Sequence, residues 1–144
     1  MKNSILLAIL GVLIIFSNAS QISAQKNGGK LHTPAKGSAE RAAILESLRG
    51  NQPVIFSVNY LRVHHGWAWV DFTPLDAETK KPTAEGSPSL LHLENGKWRV
   101  MDLSKVPEDP DDPLGAEDAS AVFVKNLRQT FAGVPADIFP APSK

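Results

Sequence analysis

Leu90-Leu91-His92-Leu93-Glu94-Asn95-Gly96-Lys97-Trp98-Arg99-Val100-Met101 decides how this chain folds. Asn-Gly is the preferred centre of a type I′ turn, because both central residues need positive φ and these two adopt it at least cost. A turn there sets the register: Glu94 faces Lys97, Leu93 faces Trp98, His92 faces Arg99 and Leu91 faces Val100. Opposite charges then meet beside the turn and apolar side chains meet further in. Local and cross-strand preferences agree, so the stretch is an antiparallel hairpin.

A second hairpin is expected upstream. Val54, Phe56, Val58 and Tyr60 occupy one phase of a strand, while Ile55, Leu61 and Val63 occupy the other, which predicts burial on both sides, at least at the strand's ends. His65-Gly66 suits a two-residue turn that pairs Val63 with Ala68 and Leu61 with Val70. The same register sets Arg62 opposite Trp69, suited to a cation–π contact. The returning strand, Trp67–Thr73, is expected to stop at Pro74. Residues 75–88, with Lys80-Lys81-Pro82, Gly86 and Pro88, read as a polar loop.

Helices flank the two hairpins. Ser38 is an N-cap for the stripe Ile44, Leu45 and Leu48, and Gly50 closes that helix. Pro107-Glu108-Asp109-Pro110-Asp111-Asp112-Pro113 interrupts the chain with three prolines and four acids. After it, Glu117 and Asp118 complement a helix N-terminus. Phe123, Leu127 and Phe131 then recur every four residues, with Ala119 one step earlier and Val124 alongside, until Gly133 and Pro135 end the helix. The expected fold is α+β: a four-stranded antiparallel sheet of two hairpins, with a helix before and a helix after. Trp67 and Trp69 point away from the Ala68/Val70/Phe72 face. Cover by the chain's own helix is expected there, with a dimer interface or a ligand-lined cleft as the alternatives.

The ends carry an address. Lys2 precedes Ile5–Phe16, an uncharged run too short to span a bilayer but suited to the core of a secretory signal. Residues 1–24 are read as a signal peptide cleaved after Ala24, 25–37 as a flexible leader, 38–139 as the domain and 140–144 as a tail. The protein is thus expected to be exported, to the periplasm or beyond, without a membrane span after cleavage. The 144 residues include no cysteine, so disulfides, thiolate metal sites and a cysteine nucleophile are excluded. Fifteen basic residues balance fifteen acidic ones, which argues against a nucleic-acid partner. The balance hides an asymmetry: six basic against two acidic residues over 25–62, and eight against thirteen over 63–144.

Arg41-x-x-Ile44-Leu45-x-x-Leu48-Arg49, Gln52-Pro53-Val54-x-Phe56-x-Val58 and Leu61-x-Val63-x-x-Gly66-Trp67-Ala68-x-Val70 resemble a family of small secreted bacterial proteins. Leu90-Leu91…Gly96-x-Trp98-Arg99-Val100 and Gly133-Val134-Pro135-x-Asp137-Ile138-Phe139 resemble the same family. Its helix-and-meander layout is similar to the cystatin-like and nuclear-transport-factor-2-like folds. The resemblance implies an inhibitor, a binding module or a small enzyme. At Gln52-Pro53-Val54-Ile55-Phe56 the chain departs from the Q-x-V-x-G loop of protease-inhibiting cystatins, so inhibition is not carried over.

Candidate chemistry is sparse. Asp71 and Asp102 each lie between apolar strand residues; facing one cavity, a carboxylate of raised pKa would serve as a general base, while His92, opposite Arg99, is expected at the surface or rim and is the third candidate. Trp67, Trp69 and Arg62 are the candidate binding residues. His64-His65 point to opposite faces of a strand and lack further ligands at metal spacing, so an exposed turn is the expectation and no metal is assigned. His32, in the leader, is expected to be solvated. The acidic run 108–118 lacks the glycine and terminal glutamate of a calcium loop and reads as a solvated linker. No nucleophile elbow, phosphate loop or dinucleotide fingerprint is present, so no cofactor is expected. The leading expectation is a non-catalytic binding or accessory module for an unnamed protein or small ligand. The alternatives are a small cavity enzyme using Asp71, Asp102 and His92, and a structural homo-oligomer built on the Trp67/Trp69 face.

Overall fold

A computed structural model describes residues 29–141. The expected signal peptide therefore lies outside the described residues. Helix α1 (Ala39–Arg49) is followed by strands β1 (Val54–His64), β2 (Trp67–Asp76), β3 (Ser87–Glu94) and β4 (Lys97–Val100). A 3-10 turn at Leu103–Lys105, a one-turn helix α2 (Gly115–Asp118), helix α3 (Ala121–Thr130) and a 3-10 turn at Ala136–Ile138 complete the domain. The sheet order β1-β2-β3-β4 is an antiparallel meander. The α+β class and both hairpins are as the sequence predicts. All four pairs across Asn95-Gly96 have the expected partners, as do Val63–Ala68, Leu61–Val70 and Arg62–Trp69. Both turns take positive φ at both centres: 48° and 76° at His65-Gly66, 50° and 76° at Asn95-Gly96.

The sheet separates two cores. On one face α1 lays Ile44 against Leu61, Val63, Ala68, Val70, Leu91 and Trp98. Ser38 caps the helix by accepting from the Arg41 N–H, and Ser47 Oγ donates to the Trp98 carbonyl at 2.9 Å, pinning α1 to β4. On the other face Trp67, Trp69 and Leu90 meet Leu127, Val134, Ile138 and Phe139 from the C-terminal segment. The chain's own α3 and the segment after it thus cover both tryptophans.

Four expectations are corrected. First, β1 is not one regular strand: a bulge between Val58 and Tyr60 leaves Asn59 without a Cα partner, while Tyr60 still packs on the tryptophan core opposite the α1 face. One extra residue shifts the phase of all that follows. Phe56 and Val58 before it therefore face the same core as Leu61 and Val63 after it. Second, β2 continues through Pro74. The Pro74 carbonyl accepts from Thr83 N–H at 2.9 Å, so the missing N–H also faces the 77–86 loop and takes no bond from the β1 ladder.

Third, the C-terminal helix starts later than Glu117. Ala119, buried at φ 48°, breaks it into α2 and α3, and Ser120 caps α3 by accepting from Phe123 N–H at 3.0 Å. Fourth, the expected leader divides: residues 25–28 lie outside the described residues, whereas residues 31–33 dock on the domain. His32 exchanges two backbone hydrogen bonds with Val63, and Leu31 packs against the tryptophan core.

His32 is accordingly no solvated side chain. Nε2 lies 2.8 Å from Glu40 Oε2 and Nδ1 2.9 Å from the Lys30 carbonyl. Burial by itself would lower its pKa, but the Glu40 carboxylate and the Lys30 carbonyl outweigh it and raise the value above 6.5. A raised folded-state pKa means that this contact stabilises fully below pH 6.5 and fades as pH climbs through the folded-state value. Glu40→Gln should pull the His32 titration down, read from its ring-proton shift against pH. The stability gap between wild type and variant should be present in mild acid and close in alkali. An unmoved titration would mean that the contact carries no charge.

Candidate functional site

The sequence-predicted acid–base residues occupy three separate places. Cross-strand pairing puts His64, Trp67, His92 and Arg99 in one transverse row at the hairpin end of the sheet. The His92 ring stacks on Trp67, centroids 4.0 Å apart, and its Nδ1 is 3.3 Å from Glu94, which also takes Arg99 Nε at 3.1 Å. Asp71 lies four residues from Trp67 along β2, about 13 Å at the rise of a strand. Asp102 is past the end of β4 as the exposed cap of a 3-10 turn, accepting from Ser104 Oγ at 2.6 Å and Ser104 N–H at 3.1 Å. The Ser104 hydroxyl, then its amide, hold that carboxyl below the usual range. This is the opposite of what a general base in an apolar cavity requires.

The candidate binding residues are likewise committed. Trp69 is 1% exposed, with Phe139 and Phe123 rings at 4.9 and 6.1 Å. Trp67 lies under the same cover and His92. Arg62 stands opposite Trp69 in register, but the cation over an aromatic ring is Arg49, 6.0 Å from the Phe56 centroid. The rings of His64 and His65 are not splayed: positive φ at His65 brings them into a stack at 4.1 Å. His64 Nδ1 is 2.8 Å from Asp137, tying β1 to the C-terminal cover.

A concave surface lies where the sequence suggests only a solvated linker. Residues 103–116 and α3 enclose a cleft of about 510 Å³. Leu103, Val106 and Phe123 are its apolar residues from the core side; Pro107, Pro110 and Pro113 line the loop, and Glu108, Asp109 and Asp112 supply carboxylates. Its walls are held by specific bonds. The Asp112 carboxylate accepts from Ser120 Oγ, the same oxygen that caps α3. Asp109 accepts from Asp111 N–H at 2.9 Å, and Asn126 Nδ2 donates to the Pro107 carbonyl at 3.3 Å. Gly115 permits the close approach: a Cβ there would sit 2.5 Å from Asp112 Oδ2 and 3.1 Å from the Phe123 Cβ.

Three prolines, each with φ fixed near −65°, stiffen a loop whose acids already serve as turn and cap acceptors. The sequence signal for this wall was the spacing of Leu103 and Val106 ahead of the prolines, too short a pattern to distinguish from a linker. Among the described residues, no group of three or more His, Asp or Glu is placed to hold a metal ion. No helix among them is long and apolar enough to cross a membrane.

The fold and cleft define a small three-layer α+β domain with a preformed acidic–apolar groove. Comparison with protein families, curated proteins and solved structures finds no match.

Proposed function

We propose that the chain is an exported, non-catalytic binding domain that takes its ligand in the cleft between residues 103–116 and α3. The observation that carries this reading is the cleft itself. Its volume lies within the ~300–1,000 Å³ usual for ligand sites, and side-chain bonds hold its walls in place. An apolar floor beside Glu108, Asp109 and Asp112 suits a basic, partly apolar group, such as a Lys- or Arg-bearing segment of an envelope protein. Lys2 and the run Ile5–Phe16 support export. The helix followed by a four-stranded meander supports the likeness to cystatin-like and nuclear-transport-factor-2-like binding modules. The separation of Asp71, Asp102 and His92 weighs against the small-enzyme alternative.

A short acetylated Lys-Leu-Arg peptide is the first probe. Titration should shift the amide signals of Gly115, Phe123 and Asn126 saturably, and added salt should weaken binding. Ala116→Trp, which fills the cleft from its rim, should abolish those shifts while the β1–β2 signals stay in place. Shifts scattered over the sheet, or none that saturate, would defeat this assignment.

A further inference from the structure

Strand β1 is an edge strand, with β2 on one side only. Its outward backbone groups belong to Val54, Phe56 and Val58 before the Asn59 bulge, and to Leu61 and Val63 after it. The bonds that reach them show this. Arg49 Nε donates to the Val54 carbonyl at 2.9 Å, Thr33 Oγ1 to the Leu61 carbonyl at 3.0 Å, and His32 pairs with Val63. Between these clamps, the N–H and C=O of Phe56 and Val58 have no hydrogen-bond partner among the described residues. Exposed edges are ordinarily blunted by charge. Here no charged side chain occurs from Gly50 to Leu61.

We propose that this edge pairs with the same edge of a second copy of the chain, antiparallel about a two-fold axis at Ser57. That axis sets Phe56 opposite the partner's Val58, and Val58 opposite the partner's Phe56. Each pair exchanges two backbone hydrogen bonds, so four bonds satisfy every open group in the window. Moving the axis to Phe56 competes with Arg49 for the Val54 carbonyl. Moving it to Val58 sets Phe56 against a residue beyond the bulge, whose polar groups face β2. Side chains agree with the Ser57 register: phenylalanine meets valine on the α1 face and serine meets serine on the exposed one. No like charges are opposed, and the two sheets join into one of eight strands.

Sedimentation equilibrium of the full chain should show a mass that rises with concentration toward that of two chains. Ser57 is exposed, so Ser57→Lys should leave the fold intact. It brings the introduced lysines directly opposite each other and should weaken the dimer by about tenfold or more. The chain has no native cysteine, which makes Ser57→Cys a direct test of register. A non-hydrogen-bonded pair has its Cα atoms ~4.5 Å apart, within disulfide reach, so mild oxidation should trap a covalent dimer. Lys125→Cys, on the far side of α3, should not cross-link. The proposal is overturned by a single-chain mass at every concentration, by a dimer that Ser57→Lys leaves equally tight, or by equal cross-linking at positions 57 and 125.

Discussion

Trp69→Ala should cost roughly 3–5 kcal/mol of folding stability, the usual range for truncating a fully enclosed aromatic side chain. Trp69 is 1% exposed and stands between the sheet and the segment that closes over it. Phe139 and Phe123 pack on the indole, and Leu90, Leu127 and Ile138 line the same core. None of these can collapse into the void without pulling α3 off the sheet. Domains of this size are stable by ~5–15 kcal/mol in all, so the loss is a large fraction of the whole. Guanidinium unfolding followed by far-ultraviolet dichroism measures it. Amide exchange should accelerate most over Val134–Phe139, because Phe139 packs on the indole and Val134 and Ile138 share its core. A cost below about 1 kcal/mol would mean that the C-terminal cover is held by something else. The association state should match that of wild type, since this face is already occupied by the chain itself.

Ile44→Ala is expected to act on the opposite core, with a cost of roughly 2–5 kcal/mol. Ile44 is the one residue of α1 classed as buried, and it is fully so. An eleven-residue helix is too short to persist by itself, since isolated helices below ~12–15 residues are marginal in water. Loss of this anchor should therefore release α1 as a unit, raising amide exchange across Ala42–Gly50 while Val134–Phe139 stays protected. The reverse pattern, with the C-terminal segment loosening first, would contradict the separation of the two cores. Leu48 and Ala43 stay half-buried beside it, which keeps the expected cost from exceeding that range.

The two type I′ turns explain why so much of the sheet was legible. Asn95-Gly96 and His65-Gly66 specify loop length and twist locally, and every pairing near them follows by counting. Legibility fails where the cause is distant. Asn59 is a polar residue in an apolar run, and nothing beside it announces a bulge. Its effect appears only as apolar residues in both phases, which two-sided burial explains equally well. Pro74 is tolerated because of Thr83, nine residues away, and the docking of residues 31–33 uses backbone groups that leave no mark in side-chain pattern. The break at Ala119 depends on Ser120 being held by Asp112. The cleft is illegible for the same reason: its acids look solvated in sequence, while in the fold Asp112 and Asp109 are structural acceptors. Asp71, Asp102 and His92 share acid–base chemistry, but strand rise and capping place them apart.

The closing of the tryptophan face by Val134–Phe139 also sets a timetable. Synthesis delivers the hairpins before their cover. Phe139 follows Trp98 by 41 residues (139 minus 98), roughly two to eight seconds at ordinary elongation rates. Through that interval the nascent sheet can already dock α1, yet its Trp67–Trp69 side faces whatever surrounds the emerging chain. The aromatic face is a transient liability of biogenesis, retired only when Val134–Phe139 arrive.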